Sequence, residues 1–348
     1  MEAASSPRPS VTAVVLAYNR RDTLETVLDH LAELPVDEIV VADNGSSDGT
    51  AELAREHPAR AKVIEMGTNA GIVARNRAVR EARGEYLLML DDDSYPLSGA
   101  IETMLATFAR WPRTGVVGGL VNDLDSRGLP VPNEQPGSFD WWLRSGRREP
   151  APPDGFAATF FPEGACMVRR EAFLEAGGWF EPLFWIDLEL DLAARLLQRD
   201  WDVRYLPQAR FEHLLRPGGE TNFALRQRLR VRNRLWYFWL RFPVGLAVTR
   251  VPGYLLFDLV ESLYRRAPGA WTGGIADAWR QRDRIRGQRA PLSPELARRA
   301  ELNRPRLHLE LLLPSLRRVA RRFFRERCRT PPEALSPLEA PRPSADLD

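Results

Sequence analysis

Three consecutive aspartates, Asp91, Asp92 and Asp93, close the apolar run in GEYLLMLDDDSYP. Like charges side by side repel unless a cation compensates them. Two carboxylates one residue apart at a strand end can hold Mg2+ or Mn2+ by one or two oxygens while a diphosphate supplies others. A metal so held is a Lewis acid toward a departing nucleoside diphosphate. Asp91 and Asp93 are the expected ligands. The competing reading is a turn ahead of PLSGAIETMLATF, with Ser98 as helix cap.

Other polar clusters could serve the same chemistry. Asp43, in VVADNGSSDGT, can accept from a base N–H or a ribose hydroxyl, although Asp, Asn, Gly and Ser also form ordinary turns. GTNAGIVARNRAVREA sets Asn69 ahead of a helix start, where backbone amides favour anions, and Arg75 one turn in. DLELD places Asp187, Glu189 and Asp191 at another helix start, a position the macrodipole also favours for purely structural reasons. His213 ends ARFEH; a lone histidine serves structure as readily as it binds metal.

These clusters need strands that end beside one another. VTAVVLAY is an apolar β-rich run, and RDTLETVLDHLAEL after it has helical spacing. DEIVVAD, AKVIEMG and EYLLML read as further strands alternating with helices, the second opening at Ser47 or Asp48. Such alternation implies an α/β fold with a parallel sheet, whose ligands gather at the carboxyl edge. Each cluster before residue 94 follows a strand. Residues 122–158 read as a long functional loop with a tryptophan pair, Trp141 and Trp142.

The chain has 348 residues, 44% hydrophobic, with a net charge of +2. That permits one large domain and an appendage. Residues 265–329 carry 18 arginines against 6 carboxylates, so a basic module follows an acidic body. Lys62 is the sole lysine, which reads as codon bias before phosphate recognition. Cys166 and Cys328 form neither a disulfide framework nor a zinc site, which fits a reducing compartment. With no secretory signal and no run of roughly 20 apolar residues, the expectation is a cytoplasmic protein without a membrane span.

Seven blocks in order, VVLAYNRRDTL, VVADNGSSDGT, NAGIVARNRA, LMLDDDS, EGACMVRREAFLEAGGWFE, LELDLAARLLQRDWDVRYLPQARFEH and RNRLWYF, resemble the family 2 glycosyltransferases of GT-A fold, bacterial cell-envelope type. The resemblance spans about residues 11–240. It implies a Rossmann-like, mostly parallel sheet flanked by helices, and an inverting, metal-assisted (Mg2+ or Mn2+) sugar transfer. The implied donor is a nucleoside-diphosphate sugar, UDP- or dTDP-linked, and the acceptor a hydroxyl on a polyprenyl-linked or cell-envelope glycan. It places Ala17, Tyr18, Asn19, Arg20, Asp43, Asn69, Arg75, Asp91 and Asp92 around the nucleotide sugar, and Asp93, Asp91 and His213 around the metal. The family's base is the Asp of a Glu-Asp-x-Asp block. This chain reads Leu188-Glu189-Leu190-Asp191 there, making Glu189 the first candidate, with Asp187 and Asp191 beside it.

The expected organisation is a disordered residues 1–10, a catalytic domain at 11–220 (nucleotide half 11–96, acceptor half 97–220), a helical arginine-rich module at 221–329 and a disordered tail at 330–348. In PSLRRVARRFFRERC, Leu316, Val319, Ala320, Phe323 and Phe324 share one helical face and arginines the other, the pattern of a helix lying on anionic lipid at the inner membrane face or, equally, of a helical hairpin packed on the catalytic domain with a solvated basic face. Nucleic acid is not an expected partner, because the arginines track an apolar face and no nucleic-acid motif is present. A dinucleotide oxidoreductase is disfavoured, since LAYNRRDTL lacks a glycine-rich turn. The alternative function is a catalytically impaired nucleotide-sugar-binding scaffold, motivated by the altered base block.

Overall fold

A computed structural model describes residues 8–125, 127–130, 152, 154–215 and 222–302. Strands β1 (Val11–Ala17), β2 (Glu38–Asp43), β3 (Lys62–Glu65) and β4 (Tyr86–Asp91) pair in parallel, in the order β3-β2-β1-β4. They alternate with helices α1 (Arg21–Ala32), α2 (Thr50–Glu56) and α3 (Ala74–Glu81). Their non-alternating apolar sequences follow from burial on both faces. Val14, Val40, Leu87 and Met89 enter one core with α3, while Val15, Val41, Leu88 and Leu90 enter the other with α1.

The second half of the sheet departs from the parallel expectation. β5 (Ser94–Pro96), β6 (Thr114–Leu124), β7 (Phe156–Ala158), β8 (Ala165–Arg169) and β9 (Asp202–Leu214) extend the order from β4 through β8, β6 and β9 to β5, with β7 also on β9. β8 runs antiparallel to both β4 and β6. It reaches the sheet through the loop of residues 159–164 rather than a crossover helix, so no rule forces it parallel. Helices α4 (Ala100–Arg110), α5 (Arg170–Glu175) and α6 (Leu188–Leu197) complete the catalytic body.

Helices α7 (Phe223–Arg241), α8 (Val244–Tyr264), α9 (Pro268–Arg280) and α10 (Pro294–Leu302) follow. The boundary expected at residue 220 is not a boundary in packing. Trp236 and Leu240 of α7 lie in the same core as the sheet, and one compact unit extends to Arg306. Arg8 binds Asp37 at 2.8 Å and the Ser10 carbonyl accepts from Tyr86 N at 3.0 Å, so the ordered chain begins before residue 11. The helix caps also differ from expectation. Gly49 and Gly99, both with φ above +80°, open α2 and α4 in place of Ser47, Asp48 or Ser98, because glycine adopts the left-handed conformation at least cost. Trp141, Trp142 and the basic segment after residue 302 lie outside the described residues.

Candidate active site at the rim of the sheet

The carboxyl ends of β1, β2 and β4 are knitted by their own loops. Asn19, with φ 51°, donates its N–H to Ser46 Oγ at 3.0 Å and accepts from Ser47 N at 2.8 Å. Ala17 is fully buried, while Tyr18 is the exposed residue of this turn. Asp43 Oδ2 accepts from Gly45 N and Ser46 N, but its buried Oδ1 has no hydrogen-bond partner. A shielded carboxylate oxygen without a donor is costly unless a ligand supplies one. Asn69 Oδ1 is engaged by Asn44 Nδ2 from the loop after β2 at 3.0 Å and by Gly71 N at 2.8 Å.

The three aspartates do not converge. Asp91 Oδ1 takes Arg75 Nη2 at 2.5 Å. Asp92 turns inward and accepts from Tyr18 N at 2.8 Å, and burial followed by the Asp93 charge pushes its carboxyl well above the usual range. Asp93 lies 3.0 Å from Arg20 Nη2 and 3.6 Å from His213 Nε2. Among the described residues no three His, Cys, Asp or Glu side chains converge to hold a metal. Of the expected ligand pair, Asp91 binds Arg75, whereas Asp92 and Asp93 share Arg20 and Asp93 also faces His213. Alternation along the chain and these different partners turn Asp91 away from Asp93.

His213 is placed by strand register, opposite Ser94 on β5 and Asp123 on β6. Its Nδ1 meets Asp123 Oδ1 at 2.8 Å, which points Nε2 at Asp93. Burial opposes its protonation, yet hydrogen bonds to Asp123 and Asp93 outweigh that and hold its pKa up at about 10. A carboxylate behind a histidine that faces a second carboxylate is the outer-shell arrangement found around metal ligands. Two protein ligands suit a cation that completes its shell with phosphate and water.

Arg75 is neither a surface residue nor, as expected, a phosphate contact. It has no accessible surface and donates to the Leu90 carbonyl at 2.6 Å and to Asp91, bracing the rim from beneath. Gly164 lies against the other side of Asp91, where an added Cβ would fall 2.1 Å from Oδ2.

Sequence reasoning assigned no role to Glu163. Burial, then the Asp91 charge, pushes its carboxyl up to about 8, while Arg75 and Arg226 pull it down and Asp187 adds repulsion. Glu163 is thus in electrostatic reach of Asp91 and of Asp187 at the start of α6. Its only signal in the sequence is a carboxylate between Pro162 and Gly164 ahead of a strand.

The candidate bases separate clearly. Asp191 is fully buried, with Arg195 Nε and Arg241 Nε each 2.7 Å from its oxygens. Burial would raise its pKa, but the two guanidinium groups outweigh burial and lower it. This carboxylate ties α6 to α7 and has no face for an acceptor, so it is set aside as a base. Asp187 and Glu189, at the N-terminus of α6, are only half-buried.

The loop leading to them is held in an unusual shape. Phe184, Ile186 and Asp187 have φ of 63°, 69° and 64°, which is costly for non-glycine residues and most of all for a β-branched one. Asn233 Nδ2 spans the carbonyls of Leu183, Trp185 and Ile186 at 3.1, 2.6 and 2.7 Å. Arg232 adds Nη2 to the Leu183 carbonyl at 2.8 Å and fixes the Asn233 amide by donating Nε to its Oδ1 at 2.9 Å. The Phe184 carbonyl accepts from Ile72 N at 2.9 Å, and an added Cβ at Gly71 would come within 2.2 Å of it. RNRLWYF thus clamps the backbone that leads into Asp187 and Glu189.

Residues 12–177 match the family model described as glycosyl transferase family 2. That stretch is a family 2 glycosyltransferase domain. An N-acetylglucosaminyl-diphospho-decaprenol L-rhamnosyltransferase of Mycobacterium tuberculosis is 29% identical to it over 230 residues, 58% of this chain and 74% of that protein. Staphylococcus aureus TarS, solved in complex with UDP-GlcNAc, superposes with a TM-score of 0.56 at 16% identity, over 77% of this chain and 80% of that one. GalNAc-T7, solved with UDP, GalNAc and Mn2+, gives 0.56 at 16% over 68% of this glycosyltransferase, which spans about half (49%) of that chain. Both likenesses concern the fold, which is that of the GT-A glycosyltransferases.

Proposed function

We propose that this glycosyltransferase moves a sugar, with inversion, from a UDP- or dTDP-linked donor to a hydroxyl of a polyprenyl-linked or other cell-envelope glycan. The observation that carries the reading is the sheet rim: Asp43 and Asp91 end the parallel strands β2 and β4, and the clamped loop before α6 is tied to that rim by the bond from Ile72 N to the Phe184 carbonyl, with Glu163 in electrostatic reach of Asp91 and Asp187. Asp43 Oδ1 is the atom left for a donor hydrogen from base or ribose. Tyr18 is exposed beside it to cover the nucleotide. Asp93 and His213 would hold a divalent cation, which when bound supplies Lewis-acid stabilisation to the leaving diphosphate. Arg20 lies at the same edge, with a positive charge near that diphosphate. Glu189 takes the acceptor proton as its oxygen attacks the anomeric carbon from the face opposite the leaving group. Glu163, whose carboxyl burial pushes up, can donate to a sugar hydroxyl in its protonated form. The cell-envelope acceptor is supported by the mycobacterial relative, whose name carries a diphospho-decaprenol acceptor.

A panel of nucleotide sugars with Mn2+, read by released nucleoside diphosphate, tests this. Turnover of one donor, lost in Asp93→Ala and on chelation, is the expected outcome. Tight nucleotide binding with no turnover of any donor would favour the scaffold reading, which the Leu188-Glu189 departure from Glu-Asp motivates.

A further inference from the structure

Helix α8 turns apolar side chains outward. Of its 21 residues the fully buried ones are Asp258 and Ser262, while Val248 and Leu256 are 66% and 60% exposed. On its inner side Leu246, Ala247, Val251 and Tyr254 pack on the core of Tyr237, Phe238 and Phe242, and over its last two turns that side is polar. Asp258 accepts from Arg234 at 2.6 Å and Glu261 from Arg230 at 2.9 Å, both arginines on α7. Ser262 donates to the Asp258 carbonyl at 2.7 Å. The outward side carries Val248, Pro252 and Leu256 at four-residue spacing, with Gly245, Thr249 and Gly253 alongside and Leu263 beyond. Arg250 is the one charged residue among those α8 exposes, and Arg265 and Arg266 follow its last turn.

We infer that the outward face of α8 is a docking surface for an anionic membrane, on which the helix lies in the plane of the headgroups. Water-soluble helices turn charge outward and apolar groups inward; here the outward side instead carries an apolar row about 20 Å long. Among the described residues no helix is long and apolar enough to cross a membrane, so this one rests on the surface. Charge selects the occupant. Both carboxylates of α8 are turned in and every exposed charge on it or just after it is an arginine, so the rim attracts phosphatidylglycerol headgroups. A second copy would bring a like-charged rim against it. The chain's own segment 314–328, with arginines and the single carboxylate Glu326, would do the same.

The test is sedimentation of the full chain with phosphatidylcholine vesicles with and without phosphatidylglycerol. Wild type binds the anionic vesicles and barely the neutral ones. Val248→Glu and Leu256→Glu each weaken that binding about tenfold or more, as removal of one buried apolar side chain implies. Both are surface positions, and unchanged melting curves show that they fold. Anionic-vesicle binding by Leu256→Glu equal to wild type would overturn the inference and place membrane contact elsewhere in the chain. A wild-type dimer in light scattering that Leu256→Glu dissociates, with vesicle binding unaltered, would overturn it in favour of self-association.

Discussion

Asn233→Asp changes one atom type in the clamp over the α6 loop and keeps its volume. Aspartate still accepts from Arg232 Nε, as Asn233 does at 2.9 Å, but has no N–H to offer. The Leu183 carbonyl keeps Arg232; those of Trp185 and Ile186 lose their donor and face a carboxylate instead. Each buried carbonyl left without a partner costs about 1–3 kcal/mol. Relaxing Ile186 and Asp187 out of positive φ recovers strain of about 1–3 kcal/mol each. Both terms drive the loop the same way, out of its native shape. A shift near 1 Å at the start of α6 costs roughly 10²-fold in rate, since Asp187 and Glu189 move with it. The proposed donor contacts at Tyr18 and Asp43 are held by hydrogen bonds that do not involve Asn233, so KM for the donor stays near wild type while kcat falls. Asn233→Gln, which retains the donors, recovers part of the loss. A folded Asn233→Asp protein with wild-type kcat would show that the clamp does not position the site.

Glu189→Gln retains donor binding in a thermal-shift assay and loses transfer; full activity there would move the base to Asp187. Asp191→Asn leaves two buried arginines short of a partner and lowers stability by about 3–5 kcal/mol at neutral pH, read by denaturant unfolding. Because the pKa of Asp191 is depressed, its contribution is present above 3.8 and fades only as pH falls below that, so the gap to wild type narrows in acid. Loss of activity in Asp191→Asn without loss of stability would return it to the base candidates. Glu163 is shifted the other way: its value is raised from 4.5 to about 8, so the folded state binds the extra proton and stability declines as pH rises across that window. Glu163→Gln removes this decline and melts closer to, or above, wild type at pH 8 than at pH 5; parallel melting curves at the two pH values would contradict the assignment.

The strand-helix alternation through residue 91 was legible because strands buried on both faces and amphipathic helices write different periods into the chain. The first four motif blocks likewise fall along the strand ends, with Asp43 closing β2 and Asp93 3.6 Å from His213. What the sequence could not carry was which way each carboxylate turns. Asp91, Asp92 and Asp93 look alike in one dimension, yet Arg75, Tyr18 N and His213, each from a different element, draw them apart. Asp191 and Glu189 are two residues apart on one helix, and only the arrival of Arg241 from α7 made one a structural tie and left the other half-buried at the helix start. The same holds for Asn233, whose amide meets carbonyls some fifty residues upstream in chain order. Local sequence determines which backbone forms, because propensity and burial act over a few residues. Partners brought from distant segments decide each ionisable group's charge and direction, because electrostatics and hydrogen bonding act through space.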